Sequence, residues 1–111
     1  MELDKNKLWC IFQPHTYSRT KTLLNEFSEA FYGIDKVILA DIYAAREKDL
    51  GEINAKMLAD EINKKSNNAI YIGDFKKIEE YVRENCEDNS VIITMGAGNV
   101  YTIGENLIKL Q

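Results

Sequence analysis

Gln13-Pro14-His15-Thr16-Tyr17-Ser18-Arg19 places the chain's only histidine beside its only proline and four residues before an arginine, directly behind the apolar run Leu8 to Phe12. An imidazole gives or takes a proton near neutral pH. A planar guanidinium grips phosphate or carboxylate oxygens through two parallel hydrogen bonds. Together they suit proton transfer beside a bound oxyanion. A lone histidine is equally at home as a capping or core residue, and it is the company of Pro14 and Arg19 at a strand end that favours a site. Tyr17 either shapes that site or packs its ring under the loop.

Two other segments carry useful groups. Asp41-Ile42-Tyr43-Ala44-Ala45 offers a carboxylate and a ring, with Asp41 either facing a ligand or bracing the loop; Arg46-Glu47-Lys48-Asp49 behind it reads as a solvated charge run. Thr94-Met95-Gly96-Ala97-Gly98-Asn99 closes an apolar run with glycines that allow close backbone approach, ahead of a helix whose first amides suit an anion. Gly96-Ala97-Gly98 falls short of a dinucleotide fingerprint, because Tyr101 stands where the third glycine belongs. The same turn would serve a connection with no ligand. Glu79, Glu80, Arg83 and Glu84 read as an exposed helix face without a role.

These segments need elements to hold them. Apolar, partly β-branched runs predict strands over Leu8 to Gln13, Lys36 to Asp41, Ala69 to Gly73 and Ser90 to Met95. Helical periodicity predicts helices over Thr20 to Tyr32, Asn54 to Lys65, Phe75 to Asn85 and Asn99 to Leu110. The expected inner faces are Leu23, Leu24, Phe27, Ala30 and Phe31; Ile53, Met57, Leu58 and Ile62; Ile78, Tyr81 and Val82; and Val100, Ile103 and Leu107. Asn54 and Asp74 stand where side-chain caps belong. Four β-α units in series imply an α/β domain, a doubly wound, mainly parallel Rossmann-like sheet with helices on both faces and strand order 3-2-1-4. All three polar segments then leave the carboxyl edge, where open α/β sheets bind ligands. The connection Ile42 to Glu52, about eleven residues, exceeds the few such folds use, and long connections are disproportionately functional.

At 111 residues the chain is one domain, small for a complete multi-substrate enzyme. Hydrophobic residues at 45% and charged residues at 29% fit a globular protein and exclude disorder and a membrane span. A net charge of -4 argues against nucleic acid as a partner. Cys10 and Cys86, without a framework spacing, imply reduced thiols and a cytoplasmic location, and Met1 to Lys7 is too polar for a signal peptide. No metal-ligand spacing is present.

Phe-Gln-Pro-His-x-Tyr-Ser-Arg-Thr at 12 to 20, Asp-Ile-Tyr-Ala-Ala at 41 to 45 and Thr-Met-Gly-Ala-Gly-Asn at 94 to 99, in this order, resemble the C-terminal domain of the Mur ligases of peptidoglycan synthesis. Among them the motifs resemble the branch that joins L-alanine to UDP-N-acetylmuramate. Thr16 occupies a position often basic in that family, and Arg46 one where many members carry glycine. The family's phosphate loop, Gly-x-x-x-x-Gly-Lys-Ser/Thr, and its Tyr-Gly-His-His-Pro segment are absent from this sequence. Residues 1–111 are therefore expected to be an amino-acid-binding domain excised from a three-domain enzyme, inactive alone, with the N-terminal and central domains as partners.

The resemblance implies an ATP-dependent ligase of cell-wall synthesis, and thus of cell shape and division. ATP phosphorylates the muramoyl carboxylate, and the amine of L-alanine attacks the acyl phosphate. ATP and Mg2+ would be bound mainly by the central domain. By motif position, His15 and Arg19 would be catalytic. Tyr17, Asp41, Tyr43, Ala44, Gly96, Ala97, Gly98 and Asn99 would bind substrate, with the turn amides on the alanine carboxylate and Asp41 on its ammonium. The alternatives are the ligase that recycles murein peptide, another Mur ligase, or a non-catalytic nucleotide- or anion-binding module.

Overall fold

The computed structural model describes residues 7–87, 89–96 and 99–109. Strands β1 (Leu8–Gln13), β2 (Lys36–Ala40), β3 (Ala69–Gly73) and β4 (Val91–Gly96) alternate with helices α1 (Tyr17–Thr22), α2 (Leu24–Ser28), α3 (Ala55–Lys65), α4 (Phe75–Asn85) and α5 (Tyr101–Lys109). The strands pair in parallel in the order β3-β2-β1-β4, as the sequence predicts. Val37 to Ala40 and Trp9 to Gln13 are buried without a break, which marks β1 and β2 as the inner pair covered on both faces. Because β4 returns to the far side of β1, the order reverses between β1 and β4, and Gln13 lies opposite Gly96 at that crevice.

Alternate residues of the inner strands feed two cores. Cys10, Phe12, Val37 and Leu39 pack with Phe31, Leu58 and Ile62 under α2 and α3. Trp9, Ile11, Ile38 and Ala40 pack with Ile78, Val82, Val100 and Ile103 under α4 and α5. Asn54 caps α3 by accepting from Met57 N at 2.9 Å, and Asp74 caps α4 by accepting from Lys77 N at 3.0 Å. Each side-chain oxygen satisfies an amide the helix itself leaves free.

The structure corrects four expectations. The first helix starts at Tyr17 rather than Thr20, breaks at Leu23 (φ -102°, ψ 16°), and ends at Ser28, short of Tyr32. It starts early because Thr16 supplies the cap, its Oγ1 accepting from Arg19 N at 3.3 Å. Ala30 of its expected inner face is exposed, and so is Met57 of α3, at the rim of the apolar stripe. The last helix begins two residues after Asn99, at Tyr101. Glu79 is buried rather than solvated: it accepts from Asn106 Nδ2 at 2.9 Å and pairs with Arg83 at 3.7 Å, tying α4 to α5.

Candidate functional site at the carboxyl edge

The segment after β1 and the long loop after β2 run side by side and are fastened in parallel order. Tyr43 N donates to Pro14 O and Thr16 N donates to Tyr43 O, both at 2.8 Å, forming an isolated parallel bridge between His15 and Tyr43. Farther along, Glu47 takes Ser18 N at 3.0 Å on Oε1 and the Ser18 hydroxyl on Oε2. Lys21 and Glu52 close the row with an ion pair at 3.2 Å. The loop thus continues the sheet's pairing past the end of the strands and then clasps α1.

The bridge brings the imidazole of His15 alongside the Tyr43 ring in a near-parallel stack, centroids 5.7 Å apart and planes 17° from parallel. Thr16 turns the chain at φ 62° and ψ 149°, a conformation that costs a non-glycine residue about 1–3 kcal/mol. It is held there from several sides. Besides the bond to Tyr43, Thr16 O accepts from Thr20 N at 3.1 Å and from the Thr20 hydroxyl at 2.7 Å. Thr20 is fully buried and cannot relax outward. The turn aims Arg19 outward from the first turn of α1, where it is exposed and makes no ion pair with any described residue.

Two cavities flank this clasp. The larger, about 660 Å³, has Tyr17 and Lys21 on one wall and Lys48, Leu50 and Ile53 on the other. The smaller, about 410 Å³, is lined by Thr16, Arg19 and Leu23. Ser18, Thr22 and Glu47 belong to both, so the Ser18–Glu47 contact is their partition. Tyr17 does both things the sequence allowed: its ring packs against the core and its edge lines the larger cavity. Burial first, then the carboxylates of Asp49, Asp41 and Glu47, raise the pKa of its hydroxyl. Glu47 is held below the usual carboxylate range, chiefly by the Ser18 hydroxyl and amide, with the charge of His15 adding to the effect.

Asp41 stands at the end of β2 with its carboxylate taken by the Tyr71 hydroxyl, a bond that also raises the tyrosine's pKa. Its carbonyl accepts from Gln13 Nε2 at 3.1 Å, while Gln13 Oε1 is buried without a partner. Gly73 lies so close that a Cβ there would meet the Tyr71 hydroxyl at 2.8 Å and the Asp41 oxygens at 3.1 Å. A shift in register between Leu39 and Ala40 sets this arrangement. Ala44 acts through its backbone, accepting from Glu47 N at 2.9 Å, and Asn99 O accepts from Thr102 N at 3.0 Å at the start of α5. Gly96 has φ 143°, and a Cβ on it would meet Gln13 O at 2.5 Å. Ala97 and Gly98 lie outside the described residues.

His15, Tyr17, Arg19 and Tyr43 therefore gather on one clasp, and Asp41 stands beside it facing β3. Sequence reasoning missed Ser18, Glu47, Gln13 and Tyr71. Glu47 was hidden in an alternating charge run, and Tyr71 meets Asp41 only through cross-strand register. Cys10 is inert: burial pushes its thiol up to about 11, and it donates to Met95 Sδ at 3.4 Å. Among the described residues, no three His, Cys, Asp or Glu side chains group to hold a metal, and no helix is long and apolar enough to cross a membrane.

Residues 1–98 match the family described as Mur ligase, glutamate ligase domain. The chain is 54% identical over 103 residues to a protein of Acetivibrio thermocellus named "UDP-N-acetylmuramate--L-alanine ligase", an alignment covering 93% of this chain and 22% of that protein. It is 50% identical over 113 residues to a protein of the same name from Caldanaerobacter subterraneus subsp. tengcongensis (98% and 25%). A third, from Clostridium botulinum, is 49% identical over 105 residues (95% and 23%). The chain thus spans no more than a quarter of the length of these relatives.

Proposed function

The chain belongs to the Mur ligase family, matched over its glutamate ligase domain, and from that premise we propose that it is the C-terminal, amino-acid-binding domain of the ATP-dependent ligase joining L-alanine to UDP-N-acetylmuramate in the cytoplasm. The observation that carries this reading is the clasp at the carboxyl edge, with His15 stacked on Tyr43 and an unpaired Arg19 beside them, in a chain about half identical to relatives bearing that name.

In that reaction a muramoyl carboxylate oxygen attacks the terminal phosphorus of ATP and ADP leaves. The amine of L-alanine, having lost one proton, attacks the acyl carbon; the tetrahedral intermediate expels phosphate, and the nitrogen loses its second proton as the amide forms. Charge gathers on phosphate oxygens and then on the acyl oxygen, so preorganised donors lower both barriers. Arg19 would supply two of them as a fork. His15, fixed in plane by Tyr43, would donate to a phosphate oxygen. Tyr17 and Tyr43 would wall the cleft. The turn from Gly96 to Asn99 would receive the alanine carboxylate, and the Asp41 carboxylate, steadied by Tyr71, its ammonium.

ATP and Mg2+ would be held mainly by the central domain. This sequence has no Gly-x-x-x-x-Gly-Lys-Ser/Thr loop, and the described residues group no donor set for the ion. The domain alone is accordingly expected to be inactive, and to act when closed against the rest of the enzyme.

The test is amino-acid-dependent ADP release by the full-length protein that carries this domain, given ATP and UDP-N-acetylmuramate. Turnover with L-alanine supports the reading. Turnover only when a preformed cell-wall peptide replaces alanine would assign the domain to the recycling ligase instead.

A further inference from the structure

Arg19 lies one residue from Ser18, and both line the smaller cavity together with Glu47. An exposed arginine and a half-buried glutamate border the same cavity, where an ion pair between them would be open to form. They do not pair: both oxygens of Glu47 are taken by Ser18, one by the amide at 3.0 Å and the other by the hydroxyl, while Arg19 makes no ion pair with any described residue. We propose that Ser18 sequesters the Glu47 carboxylate and so keeps the Arg19 guanidinium unpaired for a phosphoryl oxygen. The proposal rests on the reading of Arg19 as a phosphate ligand. Ser18 and Glu47 are on this account positioning residues, acting through Arg19 rather than on substrate.

The local geometry favours this over a plain structural fastening. The loop is already secured on either side of Glu47, by the backbone bridge between His15 and Tyr43 and by the Lys21–Glu52 pair. A fork onto Ser18 gives each carboxylate oxygen one hydrogen bond and holds the group where the two cavities meet, with no ion pair to the guanidinium. Other cations border it: Arg46 and Lys48 flank Glu47 in sequence, and Lys21, across the larger cavity, is engaged by Glu52. A carboxylate released from Ser18 thus has Arg19 and Lys48 to choose between, and the proposal requires that it take Arg19.

The experiment uses the 15N-labelled chain and follows the Arg19 Nε–H resonance, first without ligand and then during titration with inorganic phosphate. Ser18→Ala is expected to move that resonance and to weaken phosphate binding about two- to fivefold, the range set by one exposed competing ion pair. Adding Glu47→Gln to Ser18→Ala should return both to wild-type values, because the competing charge is gone, and Ser18→Thr, which keeps amide and hydroxyl, should change neither. An unmoved Arg19 resonance in Ser18→Ala, or a double variant as weak as Ser18→Ala alone, overturns sequestration. An Arg19 that moves and recovers as expected but never responds to phosphate, even in the wild type, overturns the phosphate reading of Arg19 and the proposal with it, by a signature distinct from failed sequestration.

Discussion

The imidazole of His15 lies nearly parallel to the ring of Tyr43, 5.7 Å away, because Thr16 N donates to Tyr43 O and Tyr43 N to Pro14 O. The backbone bridge carries the two side chains to the same height above the sheet edge, and the stack then fixes the plane of the imidazole. Loss of the ring should release that plane. Tyr43→Ala is expected to lower the unfolding free energy by about 0.5–1.5 kcal/mol in urea, the worth of an aromatic pair, while Tyr43→Phe stays within error of wild type. Equal losses in both variants would mean that the hydroxyl, not the stack, matters.

Arg19 should affect rate rather than folding. It is exposed and unpaired, so Arg19→Ala is expected to leave the thermal midpoint unchanged. In the full-length enzyme the same change should lower kcat by roughly 10²-fold or more, the scale of one lost oxyanion donor. Arg19→Lys should recover little, since an ammonium cannot form the fork. Steady-state kinetics with unchanged kcat in both variants would remove Arg19 from the chemistry.

Glu47 predicts a pH dependence of defined sign. Its folded pKa lies below the ordinary value of 4.5, chiefly through the Ser18 hydroxyl, so its stabilisation is present above that value and fades as pH falls through the lower folded pKa. The stability difference between wild type and Glu47→Gln should therefore be constant near neutrality and shrink on acidification below about 4.5. A difference that grew as pH fell would reverse the sign of the linkage. Paired urea titrations across that window measure it.

Gly96 and Gly104 make an opposed pair. At Gly96, φ 143° and the approach of Gln13 O to 2.5 Å from an added Cβ mean that Gly96→Ala must push two strands apart at the crevice. A loss of more than about 2 kcal/mol is expected by denaturant unfolding. Gly104 lies inside α5, and its added Cβ would make ordinary contact with Thr94 Cγ2 at 3.7 Å. Gly104→Ala should stabilise the chain by up to about 1 kcal/mol.

The sheet and its order were legible because every strand is a short apolar run between caps and glycines, and parallel β-α units leave few ways to arrange four of them. Asn54 and Asp74 announced two helix starts by type alone. The first helix was misread because its apolar face implied a start at Thr20, whereas the start is decided by Thr16, a residue in a backbone conformation threonine rarely adopts. That His15, Tyr17, Arg19 and Tyr43 come together at one edge was readable because each follows a strand end. Glu47 and Tyr71 were not readable, since their partners are set by how two loops and two strand registers meet. Periodicity carries information about faces, not about such meetings.

The last prediction concerns alanine itself. The domain offers a turn after β4, the Asp41 carboxylate and the clasp, but the wall that would close over a bound amino acid belongs to another domain in the proposed enzyme. Binding to an open surface fixes ligand and side chains without the burial that would offset their lost freedom. L-Alanine should therefore bind the chain alone weakly, with a Kd of about 1 mM or higher. Chemical shifts should move at His15, Arg19, Asp41 to Ala45 and Gly96 to Tyr101. The opposite edge provides the control. There Asp35 N donates to Leu8 O at 2.8 Å and Asn68 Nδ2 to Ile34 O at 2.6 Å, a closed set of bonds with no role in the proposed site. Shifts centred on residues 33–36 or 66–68 would put alanine at the wrong end of the sheet.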